Sequence, residues 1–286
     1  MKVTKILLIG GQGLLGRSLQ EVFLENQFIH IYTLSRNFFQ NPNHIQGSLL
    51  DSEKISSLAK YNFDFIINLS GQITNPIEEC LNLNVVGIQH LISLIKASPE
   101  TKLIQISTVG VYGSTIEANE QSPMQPETPY SVAKCMAEKL IINSLDPNSY
   151  TILRLSNLYG EKQLKGVFAY LNKSAHSNKE LEFNNNGNLV RYFLHVHDCA
   201  TIILKLIQKE NLCGIFNVLG KDRFNLKELI QLFESINKVT YQVSFAPIEP
   251  YDNALKITDN KVQELIPYMH QMNIKTYLKK FGSHDH

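Results

Sequence analysis

Residues 3–9 form a continuous β-prone run that ends directly in Gly10-Gly11-Gln12-Gly13-Leu14-Leu15-Gly16, after which an apolar-periodic helix runs to about residue 26. Glycines at positions 10, 13 and 16 permit a tight turn, a close backbone approach to a phosphate and close packing of helix on strand, while the helix amino terminus favours an anion. A lone glycine pattern also fits an ordinary βα turn. Between a strand and a helix at the head of the chain, it reads as a dinucleotide-binding turn.

The alternation continues. Further strands are expected at 29–34, 45–46, 63–69, 102–106 and 150–155, with a long helical stretch over 76–97. This pitch specifies an α/β chain, a Rossmann doubly wound parallel sheet covered on both faces. Ligands of such sheets sit at the carboxyl ends of the strands. The polar and glycine clusters fall there: 10–16, Ser35-Arg36, Gly47-Ser48-Leu49, Asn68-Leu69-Ser70-Gly71 and Ser107-Thr108. The chain should leave the sheet at Gly160. Residues 1–160 plus about 196–220 form the dinucleotide-binding domain in this reading, and about 161–195 and 221–286 a small C-terminal α/β substrate lobe. Within the lobe, helices are expected near 163–177, 226–236 and 260–265; residues 282–286 read as a disordered end.

Strand 29–34 ends in Ser35-Arg36, where an NAD-specific site would place Asp or Glu against the ribose hydroxyls. A small hydroxyl followed by a guanidinium suits a 2′-phosphate instead, so NADP is favoured, with NAD as the alternative and a plain surface charge as the bland reading of Arg36.

The formal net charge of +1 over 286 residues argues against a nucleic-acid or membrane-surface role. Cys80, Cys135, Cys199 and Cys213 have neither CxxC pairing nor metal-ligand spacing and read as small hydrophobes. His195 and His197 would point to opposite faces of an extended segment, so no metal site is expected. No signal-peptide profile is visible and no apolar run is read as long enough to cross a bilayer, so a cytoplasmic enzyme is expected.

The segment Thr128-Pro129-Tyr130-Ser131-Val132-Ala133-Lys134 supplies chemistry. Thr128 can cap a helix and Pro129 suits its first position, which puts Tyr130 and Lys134 one turn apart on one face. An ammonium there is expected to lower the Tyr130 pKa toward working pH and make it an acid/base. Of the 12 tyrosines, only Tyr130 has a lysine four residues later.

Together the motifs resemble the extended short-chain dehydrogenase/reductase superfamily, in particular the NAD(P)-dependent epimerase/dehydratase family that acts on nucleotide sugars. The likeness rests on the glycine loop, Ser107-Thr108-x-x-Val111-Tyr112-Gly113, Tyr130-x-x-x-Lys134, the segments 153–160 and 191–198, and Phe216-Asn217-Val218. It implies that Thr108 hydrogen-bonds the substrate oxygen, Tyr130 moves the proton, and Lys134 holds the nicotinamide ribose. It implies cofactor contacts from Gly10, Gln12, Gly13, Leu14, Leu15 and Gly16, then from Ser35, Arg36, Ser48 and Leu49, and from Leu69, Ser70, Gly71 and Asn84. It implies substrate contacts from Thr108, Asn157 and Arg191, the last on a diphosphate; pairing with Asp198 or another carboxylate is the bland alternative for Arg191. Many relatives dimerise through helices corresponding to 76–97 and 128–146, so a homodimer is expected, with Val85, Leu91, Met136 and Leu140 equally suited to packing on their own sheet.

Departures narrow the chemistry. Dehydrating members carry Asp-Glu after the catalytic Ser/Thr, where this chain has Val109-Gly110; 3,5-epimerising relatives carry Cys at the position of Gly110. Many relatives place Asp at the position of Ser48, and Glu249 stands where a second phosphate-binding arginine is usual. The leading expectation is an NADP-dependent reductase of a 4-keto nucleotide sugar, of the kind that supplies deoxysugars for surface polysaccharides. Alternatives are a 4-epimerase with tightly bound NAD, a catalytically silent NADP-binding sensor, and a reductase of a non-sugar ketone.

Overall fold

The computed structural model describes residues 3–71, 76–177, 179–267 and 270–281. Residues 282–286, read above as a disordered end, lie outside them. Fourteen strands are present among the described residues: β1 Thr4–Ile9, β2 Ile29–Ser35, β3 His44–Gln46, β4 Phe65–Asn68, β5 Lys102–Thr108, β6 Thr115–Ala118, β7 Tyr150–Leu155, β8 Asn157–Tyr159, β9 Glu180–Phe183, β10 Val190–His195, β11 Gly214–Val218, β12 Asp222–Asn225, β13 Gln242–Phe245 and β14 Ala254–Ile257. The helices are α1 Leu14–Leu24, α2 Ser52–Ser56, α3 Ile77–Asn84, α4 Val86–Ala97, α5 Pro129–Ser144, α6 Val167–Ala175, α7 Val196–Ile207, α8 Leu226–Asn237, α9 Asn260–Leu265 and α10 Ile274–Phe281.

Seven strands build one parallel sheet in the order β11-β7-β5-β4-β1-β2-β3. The side-chain period of two divides each strand between two cores. Along β1, Ile6 and Leu8 pack with Leu19 and Phe23 of α1 and Ile203 of α7, whereas Leu7 and Ile9 pack with Leu91 of α4 and Ile141 of α5. The strand order reverses beside β1, between β2 and β4, which opens the crevice where ligands of such sheets bind.

The stretch expected as one helix over 76–97 is two. At Val85 the backbone turns to φ −116°, ψ −69°. The Asn84 amide donates back to the Cys80 carbonyl at 2.9 Å, the acceptor its own backbone N–H would use, and such back-bonding bends helices. By length and composition Ile77–Ala97 is apolar enough to cross a bilayer, contrary to the sequence expectation. Its Ile88, Leu91, Leu94 and Ile95 are instead buried against the sheet.

One charge interrupts β7. Arg154, buried to 2% exposure, faces the fully buried Glu138 of α5, with Arg154 Nη2 2.7 Å from Glu138 Oε2. Arg154 Nη1 also donates to the Tyr112 hydroxyl (2.9 Å), that hydroxyl donates to Asn217 (2.7 Å), and Ser107 donates to Glu138. The network fastens α5 to β5, β7 and β11.

A separate core cluster forms a small lobe; the helix expected within it at 260–265, α9, lies instead on the main sheet, where Val262 and the following Ile266 join the core of α1 and α7. Strands β12-β10-β8 make a small sheet, β13 pairs with β9, and α6, α8 and α10 close over Tyr159, Phe168, Phe193 and Phe233. The Asp198 carboxylate accepts from the Gln271 and Met272 N–H groups, and Asp222 from Ile274 N–H, which holds the final helix down. Asp198 is thus engaged away from Arg191.

Candidate active site

The first wall is the turn between β1 and α1. Gly10 has φ +79°, and a Cβ on Gly16 would lie 2.4 Å from the Gly11 carbonyl oxygen, so only glycine fits there. The α1 N-cap, Gly13, offers no side-chain acceptor to the first-turn N–H groups. Those donors and the positive helix end suit a pyrophosphate, so the residues present fit a dinucleotide. Arg17, which the sequence reading did not single out, bends its guanidinium onto the Gln12 carbonyl at 2.7 Å and lines the pocket.

Beyond the ends of β2 and β3 the implied cofactor contacts divide. Ser35 Oγ donates to the Asn37 carbonyl at 3.2 Å. Arg36 is exposed, and its Nη1 lies 2.7 Å from Glu79 Oε1 on α3. Ser48 Oγ accepts from Leu50 N–H, and Leu49 is buried over Gly87. Asn84 departs from the expected cofactor contact: it is 1% exposed, and its amide donates to the Gly71 carbonyl (3.0 Å) as well as to Cys80. It shapes the Leu69-Ser70-Gly71 turn, whose Gly71 has φ +78°.

A cleft of about 690 Å³ runs from this turn to the lobe. Of the expected residues, Leu14, Leu15, Gly16 and Leu69 line it on the dinucleotide side, and Thr108, Tyr130, Asn157 and Arg191 on the other. Gly10, Gln12, Gly13, Ser35, Arg36, Ser48, Leu49, Ser70, Gly71 and Lys134 are not among the residues that line it.

Thr128 caps α5 by accepting from Ser131 N–H (3.3 Å), with Pro129 in the first turn. Tyr130 follows, half-buried. The Lys134 ammonium lies 5.9 Å from the centre of the Tyr130 ring and donates to the carbonyls of Ser70 (3.0 Å) and Ile106 (3.2 Å). The expected lowering of the Tyr130 pKa is absent: burial first, and the nearby Cys80 thiol second, push the phenol up. Burial also lowers Lys134 to about 8, against the pull of Cys80 and Glu138. Spacing put a cation near the ring but could not show that it is buried and turned to two carbonyls.

Thr108 Oγ1 accepts from Gly110 N–H at 3.1 Å, which leaves its own proton to donate into the cleft. A Cβ on Gly110 would meet Ser131 Oγ at 2.5 Å and Asp252 Oδ2 at 3.4 Å. Arg191 donates from Nη1 to the carbonyls of Val190 and Asp252, both at 2.9 Å. Burial lowers its pKa to about 10 while Asp252 supports its charge. Lys162, Lys165 and Asp252 also line the cleft and were missed as site residues. Glu249 spends its carboxylate on Asn186, 2.8 Å away and outside the cleft. His195 is buried with Nε2 3.4 Å from Glu161, and His197 is exposed on α7.

The chain is similar to the dTDP-D-glucose 4,6-dehydratase of Dictyostelium discoideum, at 25% identity over 254 residues, 76% of this chain and 58% of that protein. It is 26% identical over 279 residues to the GDP-6-deoxy-D-talose 4-dehydrogenase of Aggregatibacter actinomycetemcomitans, covering 92% of this chain and 87% of that one. In fold it resembles a crystal structure of UDP-glucuronic acid 4-epimerase from Bacillus cereus in complex with UDP-glucuronic acid and NAD, with TM-score 0.84, 22% identity, and 96% and 97% of the two chains covered. With residues 6–218 matching the family as a whole, on the same turn, sheet and helix that build this cleft, the chain belongs to the NAD dependent epimerase/dehydratase family.

Proposed function

We propose that the protein is an enzyme that reduces the 4-keto group of a nucleotide sugar with a nicotinamide dinucleotide, NADPH in preference to NADH. The observation that carries this reading is Gly110. Dehydrating relatives carry Asp-Glu where this chain has Val109-Gly110, and a Cβ on Gly110 would meet Ser131 Oγ at 2.5 Å and Asp252 Oδ2 at 3.4 Å. With neither carboxylate of the elimination pair present, the groups that remain are those of carbonyl–carbinol exchange.

The nicotinamide, when bound, supplies the hydride for the keto carbon. Thr108 donates a hydrogen bond to the substrate oxygen and orients it, keeping its own proton. Tyr130 gives that oxygen the proton that completes the alcohol, and the phenolate regains a proton from water. A phenol whose pKa is pushed up stays protonated at neutral pH, which suits a donor. Lys134, anchored on the carbonyls of Ser70 and Ile106, holds the nicotinamide ribose in this reading, and Arg191, which lines the cleft, takes the substrate's phosphates. The similarity to a 4-dehydrogenase of a GDP-sugar is in keeping with net oxidoreduction at C4.

A second reading, a 4-epimerase that retains NAD, is favoured by the Arg36–Glu79 ion pair, which engages the guanidinium that would otherwise meet a 2′-phosphate. Freshly purified protein separates the two. An empty site, tighter binding of NADPH than NADH, and oxidation of NADPH on adding a 4-keto nucleotide sugar support the reductase. Trapped NAD, with interconversion of two sugar nucleotides and no added cofactor, supports the epimerase and ends the reductase. In either case Tyr130→Phe is expected to lower kcat by about 10² to 10⁴; unchanged turnover would remove both.

We further propose that two copies pair through α3 and α5. Leu91 packs inside its own sheet, while Ile77, Leu81, Val132 and Met136 are exposed on these two adjacent helices.

A further inference from the structure

Asp252 belongs to the loop between β13 and β14, far in sequence from the reacting groups, yet it is 5% exposed and lines the cleft. Its backbone is left-handed, φ +52°, a conformation that costs a non-glycine residue energy unless its surroundings hold it. The side chain supplies those restraints. Oδ2 accepts from Thr128 Oγ1 and from Ser131 Oγ, both at 2.6 Å, and Oδ1 accepts from Glu127 N–H at 2.7 Å. Asp252 N–H in turn donates to Glu127 Oε2 at 2.6 Å. Thr128 and Ser131 flank Tyr130, two residues before it and one after, so a single carboxylate grips the first turn of α5 on both sides of the phenol.

The other end of the same residue is held from the cleft. Arg191 Nη1 donates to the Asp252 carbonyl at 2.9 Å, and Nη2 reaches the Tyr251 carbonyl at 3.5 Å. A continuous set of hydrogen bonds therefore runs from the Arg191 guanidinium through Asp252 to the turn that carries Tyr130.

We infer that Asp252 is a positioning residue, which fixes Tyr130 through Thr128 and Ser131 and ties its placement to the occupancy of Arg191 by the substrate's phosphates. The inference rests on the roles proposed above for Tyr130 and Arg191. Its geometric part, the grip on α5, stands independently of them.

The test is hydrogen exchange of the α5 amides 131–134 in the whole protein, wild type and Asp252→Ala, with and without NADH plus UDP, dTDP or GDP. Asp252→Ala should fold, because Thr128 Oγ1 and Ser131 Oγ remain 3.0 Å apart and bond each other. Exchange of these amides is expected to quicken about tenfold or more in the variant, with β1 amides and NADH affinity within about twofold of wild type. The diphosphate that binds wild type should slow exchange of 131–134 there but not in the variant, although it still binds. In turnover, kcat should fall about tenfold or more with KM changed less than about threefold, the signature of a misplaced reacting group.

Unchanged exchange in Asp252→Ala, a diphosphate effect that persists in it, or a loss confined to KM would overturn the inference. Should that variant unfold, Ser131→Ala removes one of the two grips and is expected to quicken the same amides; no change there would also overturn it. A wild type that binds none of the three diphosphates would remove the link to Arg191 and the nucleotide-sugar reading together, and the exchange of free Asp252→Ala would still decide the grip on α5.

Discussion

The ammonium of Lys134 lies 3.0 Å from the Ser70 carbonyl oxygen with its side chain fully buried, so this charge rests on peptide dipoles. Burial takes its pKa from 10.5 to about 8. Between these values the unfolded chain binds more protons than the folded one, so stability rises with pH across that window. The cost of the buried charge is fully present below about pH 8 and gone above about 10.5. Urea unfolding of wild type and Lys134→Met at pH 7 and pH 10 should show wild type gaining on the variant, by at most about 3 kcal/mol. Parallel curves at the two pH values would contradict the depressed pKa.

The Arg36–Glu79 pair is exposed on the arginine side, so breaking it should change stability by less than about 1 kcal/mol. Its effect is expected in cofactor choice. Glu79→Gln frees the guanidinium and should raise affinity for NADPH relative to NADH by about threefold to tenfold, whereas Arg36→Ala should weaken NADPH about tenfold and leave NADH nearly unchanged. Fluorescence titration with both dinucleotides measures this. An Arg36→Ala protein that binds NADPH as wild type does would end the NADP assignment.

Glu138 and Arg154 behave differently because both are buried. Glu138→Ala leaves the guanidinium without its carboxylate and should cost about 3–5 kcal/mol, while Glu138→Leu with Arg154→Met should cost much less. Denaturant unfolding of the three variants checks the order. A double variant as unstable as Glu138→Ala would show that the pair is worth more than the apolar packing that replaces it.

These pairs mark what the sequence did and did not reveal. The sheet was legible because its strands are predominantly apolar and the turn between β1 and α1 admits only glycine at Gly16, both local properties of the chain. Thr108, Tyr130, Asn157 and Arg191 were placed on one cleft by motif and by strand ends. Arg154 was in view within its segment, but its partner lies 16 residues earlier on another element. Asp252 meets Ser131 across 121 residues, and Glu79 meets Arg36 across 43; no spacing rule reaches that far. The break at Val85 and the raised Tyr130 pKa were misread for a related reason. Each depends on what a side chain touches, through Asn84 in one case and through burial beside Cys80 in the other.

The proposed dimer gives the last prediction. On α3, Ile77 and Leu81 are four residues apart, as are Val132 and Met136 on α5, so each pair shares a helix face. All four are exposed to between 37% and 42%. A second copy covering them would bury a two-helix apolar face from each chain. Met136→Glu puts a charge at its centre that must either face a like charge or lose its water. Light scattering should give twice the chain mass of 32.5 kDa for wild type and the chain mass for the variant, with dinucleotide affinity kept because none of the four lines the cleft. A wild type at the single-chain mass would rule the arrangement out, and a dimeric Met136→Glu protein would move the interface elsewhere.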